Sequence, residues 1–300
     1  MLRTIRLTLA VIFFALITLL FLDFTGTLHA WFGWMAKIQF LPAVLALNIG
    51  VVLSLAVLTL AFGRIYCSVI CPLGVFQDIV SWLSAKRKKN RFRYSPVLKW
   101  LRYGVLGVFV LAIIDGLNSF VVLLAPYSSY GRIVSSLFSP LYQWANNGLA
   151  YLAERADSYA FYETDVWMKS LPTLLIATVT LVVLIVLAWR GGRTYCNTIC
   201  PVGTVLGFLS KYSLLKPVID TKKCNSCGLC ARNCKASCIN IKAHEIDYSR
   251  CVACMDCINK CRKGAITYTR RKPASAAVSQ ETSVAPEQVN DARRAFLSTT

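Results

Sequence analysis

The apolar residues of this chain are gathered into four long runs, at about 5–22, 40–62, 100–122 and 171–189, with charged residues swept to their edges. None shows the two-residue alternation of a half-buried strand. A helix rises 1.5 Å per residue and a bilayer core is about 30 Å thick, so each run predicts a transmembrane helix. Arg3 and Arg6 precede the first run, Arg64 closes the second, and Arg190 and Arg193 follow the fourth. No small-residue cleavage site stands before Asp23, so the first run reads as a retained span. His29, Trp31 and Trp34 in the next loop resemble an interfacial aromatic belt. In the third run Asp115, beside Gly116 and Asn118, suggests a broken or ending helix.

The expected organisation has three parts. Residues 1–215 form a four-span membrane domain, 216–269 a soluble appendage, and 270–300, rich in Ala, Ser, Pro and Gln, a flexible tail. At 56% hydrophobic, the 300 residues exceed what a soluble core needs. The net charge of +19 would suit nucleic acid. Basic loops are, however, what the positive-inside rule demands of a multi-span chain, and nucleic-acid binding is set aside. The loop 63–99 carries Arg64, Lys86, Arg87, Lys88, Lys89, Arg91, Arg93 and Lys99. The opposing loops hold only Lys37, and Arg132, Arg155 and Lys169. Both termini, the basic loop and the appendage are therefore expected on the cytoplasmic side of a bacterial inner membrane, where the basic loop also suits anionic lipid.

The appendage carries the chemistry. Cys224, Cys227, Cys230 and Cys234 form one Cys-x2-Cys-x2-Cys-x3-Cys run, and Cys251, Cys254, Cys257 and Cys261 another. Ferredoxins wrap [4Fe–4S] clusters with this spacing, the fourth cysteine of each run serving the other cluster. Cluster I is assigned to Cys224, Cys227, Cys230 and Cys261, and cluster II to Cys251, Cys254, Cys257 and Cys234. Zinc usually takes two Cys-x2-Cys pairs split by a longer loop, a poorer match. Cluster assembly needs reduced thiols, which again points to the cytoplasm. The fold class expected is an α-helical membrane protein with a C-terminal α+β 2[4Fe–4S] ferredoxin-like domain.

The membrane part repeats. Arg64, Tyr66, Cys67, Ile70, Cys71, Pro72 and Gly74 recur at a constant interval as Arg193, Tyr195, Cys196, Ile199, Cys200, Pro201 and Gly203. Each copy follows the second span of a pair, so two parallel two-helix repeats are expected about an axis along the membrane normal. In a helical Cys-x3-Cys-Pro segment both thiols would share a face, with the proline ending or kinking the helix. Three readings of Cys67, Cys71, Cys196 and Cys200 stay open: an extra metal or iron–sulfur centre, redox-active dithiols, or small buried residues in a seam.

Four spans, two Cys-x3-Cys-Pro motifs and a double [4Fe–4S] module resemble the NapH-type family of membrane ferredoxins, related to NosR/NirI-type and MauN-type proteins. The resemblance covers about residues 1–269. It implies an electron-transfer component of a quinol dehydrogenase, linking membrane quinone to an exported iron–sulfur protein or periplasmic reductase. It places the family's membrane-proximal cysteines on Cys67, Cys71, Cys196 and Cys200. A redox-sensing regulatory or metallocentre-maturation protein is the alternative.

The chain departs from the ferredoxin pattern in places. Lys235 and Arg262 follow Cys234 and Cys261 where proline is usual, and two cations beside the sulfurs should raise the reduction potentials. Cys238 is a ninth cysteine, read as an unligated thiol or an alternative ligand. With only His29 and His244, a bis-histidine haem is not expected. His29, as a quinol proton acceptor, and Asp115 are lesser candidates, with Asp23 behind them. The segment 293–297, Arg-Arg-Ala-Phe-Leu, is similar to a twin-arginine export core.

Overall fold

A computed structural model describes residues 2–23, 26–85, 92–155, 162–166 and 170–270. Lys86, Arg87, Lys88, Lys89, Arg91, Asp157, Lys169 and the 293–297 motif lie outside them. Residues 1–270 form one compact unit, so the expected boundary near 215 falls inside a single packed body.

In chain order, α1 is Leu2–Leu22, α2 Thr27–Phe32, α3 Trp34–Lys37, α4 Phe40–Leu45, α5 Ile49–Phe62, α6 Ile65–Val69 and α7 Pro72–Ala85. Then come α8 Lys99–Ile114, α9 Asn118–Leu124, α10 Pro126–Ile133, a π-helical turn Val134–Phe138 and α11 Ser139–Arg155. They are followed by α12 Leu171–Gly191, α13 Thr194–Thr198 and α14 Pro201–Ser210. The cysteine-rich module holds β1 Leu215–Ile219, α15 Leu229–Arg232, β2 Ile239–Asn240, β3 Glu245–Ile246, α16 Asp256–Lys260 and β4 Ile266–Arg270. Its strands pair antiparallel, β1 with β4 and β2 with β3.

Among the described residues, α1 and α12 are the helices long and apolar enough to cross a membrane, and only 22% and 17% of their apolar windows are buried. So much exposed hydrocarbon needs an apolar solvent. The second and third expected spans are each broken instead. Before α5, Asn48 N–H donates to Ala43 O and Leu47 N–H to Val44 O, with Leu47 at φ 52°. After α8, Leu117 N–H donates to Ala112 O and Gly116 N–H to Ile113 O, with Gly116 at φ 71°. Both are Schellman turns. They fold the short α4 and α9 back along α5 and α8, and Asp115 sits exposed as the C-cap of α8.

These short helices end on the two repeated tyrosines. Tyr66 donates to Gln39 Oε1 (2.9 Å) and accepts from Phe40 N–H (3.0 Å) at the start of α4. Tyr195 donates to Leu124 O (3.1 Å) at the end of α9. One repeat thus holds a helix by its N-terminal end and the other by its C-terminal end.

All four long apolar helices have an end on the cysteine-rich module. Arg3 on α1 pairs with Asp256 (2.7 Å), and Tyr268 donates to Phe62 O at the end of α5 (2.7 Å). Arg102 on α8 reaches Ser249, and Arg193 N–H, past α12, donates to Lys235 O (2.9 Å). Asp78 on α7 locks the junction. Arg193 binds it through two nitrogens at 2.8 Å, Arg6 at 2.6 Å, and Lys235 lies 3.6 Å away. Asp78→Asn leaves buried guanidinium groups without their anion, and should cost roughly 3–5 kcal/mol of stability. Asp256→Asn, whose Arg3 partner is half exposed, should cost far less. Comparing thermal midpoints of the two variants in lipid checks the order.

Candidate iron-sulfur sites

The two cysteine runs wrap alike because their backbones do. Ser226 and Gly228 stand at φ 54° and 72°, and Ala253 and Met255, at the matching places in the second run, at 49° and 60°. Left-handed geometry costs a non-glycine residue roughly 1–2 kcal/mol. What it provides is an alternating turn whose successive N–H groups converge on an anion, as at many iron–sulfur sites. Cys224, Cys227, Cys230 and Cys261 line a cavity of about 310 Å3, with Gly228, Ala265 and Ile266 among its walls. Cys251, Cys254, Cys257 and Cys234 line a second, narrower cavity, and Cys238 lines it too. The donor sets are four thiols each in an anion-seeking loop, which fits an iron–sulfur cluster. Burial pushes the Cys254 thiol up to about 12, so a metal must displace protons to bind.

Cys238 is placed by contact. Its Sγ lies 3.5 Å from Cys234 Sγ. Hydrogen bonding to Cys238 holds Cys234 down at about 7 and lowers Cys251 as well. A ninth sulfur thus touches two residues assigned to cluster II. Lys235 differs from expectation. Its Nζ lies 3.1 Å from Asp256 and 3.6 Å from Asp78, so carboxylates offset the charge expected to raise the potential. Arg262 is exposed at the wall of the larger cavity.

The Cys-x3-Cys-Pro segments do not form one continuous helix. Cys67 lies within α6 and Cys196 within α13; each helix then ends, and Pro72 and Pro201 open α7 and α14. The proline starts a helix because a first-turn position needs no N–H. Cys200 is the N-cap, accepting Gly203 N–H at 3.4 Å, and Cys71 accepts likewise from Gly74. Both sulfurs therefore face a helix N-terminus, where negative charge is favoured. All four thiols are buried, and Cys71, Cys196 and Cys200 each lie within electrostatic reach of a sulfur from the other repeat. Among the described residues no three such side chains stand at closed metal-site spacing, in the ferredoxin runs or here.

Two arginines cross the repeat axis. Arg193 donates to Cys67 O (2.6 Å), and Arg64 to Cys196 O (3.1 Å). Both are wholly buried, so Arg64 is not one of the solvent-facing loop charges that the sequence suggests. Arg64 also reaches Asn197 Oδ1 (2.9 Å), Ser249 O (3.1 Å) and Cys67 Sγ (3.8 Å). Arg193 has Asp78; Arg64 has no carboxylate within 4 Å among the described residues. Gly207 occupies the place matching Asp78, and a Cβ there would overlap Arg102 and Ser249. Arg102, also buried, shares Ser249 O with Arg64 at 3.1 Å. Arg102 has the Asp247 carboxylate within electrostatic reach, whereas Arg64, a buried guanidinium with no carboxylate beside it, calls for negative charge at the neighbouring sulfurs.

The repeats also fix which cavity is nearer the membrane part. Arg64 and Arg102 hold Ser249, two residues before Cys251. Arg193 N–H and Asn197 hold Lys235 O and Ala236 O, beside Cys234. The Cys234/Cys251 cavity is thus proximal, and the other, with Cys227 exposed, is distal. His29 is exposed on α2, and Asp23 accepts its backbone N–H at 2.9 Å; neither approaches the sulfurs. Sequence reasoning passed over Asp78, Arg102 and Gln77, whose Nε2 donates to Cys196 Sγ at 3.4 Å. Asp78 and Gln77, polar residues two turns after Cys71 in an otherwise apolar helix, were the available signal.

A family model described as a 4Fe-4S binding domain matches residues 43–91 and again 171–221, one match on each repeat, and both end before Cys224. NapH of Haemophilus influenzae, a ferredoxin-type protein, is 27% identical over 77% of this chain and 70% of its own length. MauN of Methylobacillus flagellatus, a methylamine utilization ferredoxin-type protein, is 24% identical over 68% and 61%. An uncharacterised protein of Methanocaldococcus jannaschii is 25% identical over 73% and 70%. The chain is thus similar to the NapH-type ferredoxin-type proteins over most of its length. No solved structure matches it. The repeated glycines explain why the motif runs to a seventh shared position: a Cβ at Gly74 would overlap the Cys67 carbonyl, and one at Gly203 the Cys196 carbonyl. Gly74→Ala and Gly203→Ala should each cost about 1–3 kcal/mol. They should also open the four membrane-proximal thiols to alkylation, read by mass spectrometry, before the Cys224–Cys261 module reacts.

Proposed function

We propose that the chain is a membrane-bound electron conduit, carrying electrons between the quinone pool and a redox partner protein through two [4Fe–4S] clusters. The observation that supports it is the crossed lining of the two cavities, each by three cysteines of one run and the fourth of the other. Cys224, Cys227, Cys230 and Cys261 would hold cluster I, and Cys251, Cys254, Cys257 and Cys234 cluster II. Quinol oxidation to quinone releases two electrons and two protons; clusters held by these eight cysteines would supply one-electron acceptor chemistry, and the protons would leave to water.

The chain's own residues set the environment. Arg64 and Arg102 brace the Cys251 loop and put positive charge beside it, which favours an added electron. Lys235, offset by Asp78 and Asp256, positions Cys234 more than it charges it. Cys227, Arg262 and Lys263 leave the distal site open at the surface, where an acidic face of a partner would dock. Cys67, Cys71, Cys196 and Cys200 would hold a further metal or iron–sulfur centre, supported by Arg64's missing counter-ion and by the two helix N-termini. The reading places four spans in a bacterial inner membrane, two of them kinked by fold-back turns, with the module in the cytoplasm. Its partner is an exported iron–sulfur protein or periplasmic reductase.

Anaerobically purified protein should hold four irons and four sulfides per cluster. Cys230→Ser and Cys257→Ser should each remove a different EPR signal. A Cys67/Cys71/Cys196/Cys200 serine variant should keep both and lose any further metal. Zinc in place of iron, or no acid-labile sulfide, would sink the conduit.

A further inference from the structure

Where the chain enters α8 and leaves α12, the structure holds a cavity of about 480 Å3, well inside the range of ligand sites. Arg93, Arg190 and Arg250 line it, with the hydroxyl-bearing Ser95, Thr194 and Ser237 among its other walls. The three arginines come from three segments: the approach to α8, the last turn of α12 and the loop just before Cys251. Among the described residues no carboxylate lines the cavity, and Arg93 is the one lining cation that belongs to the basic loop 63–99.

This charge is only partly neutralised from within the protein. Arg250 is buried and fixed on two sides: its Nε donates to Asp247 Oδ2 at 2.9 Å and its Nη1 to Ser95 O at 2.8 Å. Its Nη2 is buried with no hydrogen-bond partner. An unpaired buried donor is costly, and an oxygen of a bound anion would complete the fork. Asp247 is a single carboxylate, already shared with Ser249 at 2.7 Å. Arg93 and Arg190 are exposed, and neither has a carboxylate within 4 Å among the described residues. Guanidiniums from three segments suit a tetrahedral anion with several oxygens better than a carboxylate with two.

The cavity's position says where such an anion would come from. Arg190 directly follows the apolar run of α12, and Leu98 and Trp100 at the start of α8 are 60% and 94% exposed. A tryptophan at the end of an apolar helix marks the level of lipid headgroups. Farther along, Leu101 and Val108 on α8 and Val182 and Val186 on α12 are exposed, and acyl chains would cover them. A free phosphate would use the arginines and none of this apolar border. The inner wall includes Ala236, Ser237 and Arg250, from the loops that carry Cys234 and Cys251. A bound headgroup would therefore tie the proximal cysteine loops to the bilayer.

We propose that this cavity binds the phosphate of an anionic phospholipid headgroup, gripped by Arg93, Arg190 and Arg250. The proposal needs a bilayer and is independent of what the clusters carry. The test uses the full chain with its metal centres, purified anaerobically in a non-ionic detergent. It is titrated with dioleoyl phosphatidylglycerol, with phosphatidylcholine of the same chains, and with inorganic phosphate, and bound molecules are counted by native mass spectrometry. One phosphatidylglycerol should bind per chain, about tenfold more tightly than phosphatidylcholine, and inorganic phosphate should displace it only at far higher concentration. Arg93→Gln and Arg190→Gln, made singly, should each weaken that binding about tenfold, the loss of one charge-assisted hydrogen bond. Lys211→Gln, which removes an exposed cation at the end of α14 outside the cavity, should leave it unchanged. Dithionite-reducible iron reports folding in each variant, and either arginine variant that folds suffices. Equal affinity for the two lipids, wild-type affinity in a folded arginine variant, or an equal loss in Lys211→Gln overturns the site. Inorganic phosphate that binds through these arginines while phosphatidylglycerol does not overturns the lipid source.

Discussion

Everything at the centre of this protein depends on two guanidinium groups buried where hydrocarbon and cysteine meet. Arg64 and Arg193 each leave one repeat and donate to a cysteine carbonyl of the other, so the repeats hold each other by the backbone of their own motif. A buried cation is tolerable only with hydrogen bonds and nearby negative charge. Arg193 has both, in Asp78 and the Cys67 carbonyl. Arg64 has the carbonyls and an amide, and the sulfurs must supply the rest. The asymmetry comes down to one position, Asp78 in the first repeat against Gly207 in the second.

The same interactions join the membrane part to the cysteine-rich module. Ser249 O receives both Arg64 and Arg102, while Lys235 and Ala236 are held by the second repeat. The two loops nearest the membrane part therefore cannot move independently of the four buried thiols. Residues 1–270 pack as one body because the contacts between the parts are charged hydrogen bonds from buried side chains, not a flexible tether.

Strain and polarity are spent locally, and each has a use. Ala253 and Met255 accept left-handed backbone so that N–H groups turn inward around one set of sulfurs. Pro72 and Pro201 give up an N–H that the first turn of a helix does not need, which leaves Cys71 and Cys200 free to cap. The two Schellman turns shorten what hydropathy alone reads as spans, and bring Gln39, Phe40 and Leu124 down to the repeated tyrosines.

The spacing of Cys224–Cys261 and the recurrence of Arg, Tyr, Cys, Pro and Gly were legible in the sequence because they are local: a loop that wraps a ligand, or a helix that begins at a proline, is written in consecutive residues. The breaks at Leu47 and Gly116 were legible only in part. Gly116 announces its turn, whereas Leu47 gives no sign that it will adopt positive φ. What tertiary structure alone decided is which charges meet. Arg64 looked like a topology signal because hydropathy sees a cation at the end of an apolar run. It cannot see that the other repeat surrounds the side chain, that Asp78 neutralises Arg193 and not Arg64, or that Lys235 is shared between two carboxylates. Burial and pairing belong to the assembled body, since each depends on residues far apart in the chain.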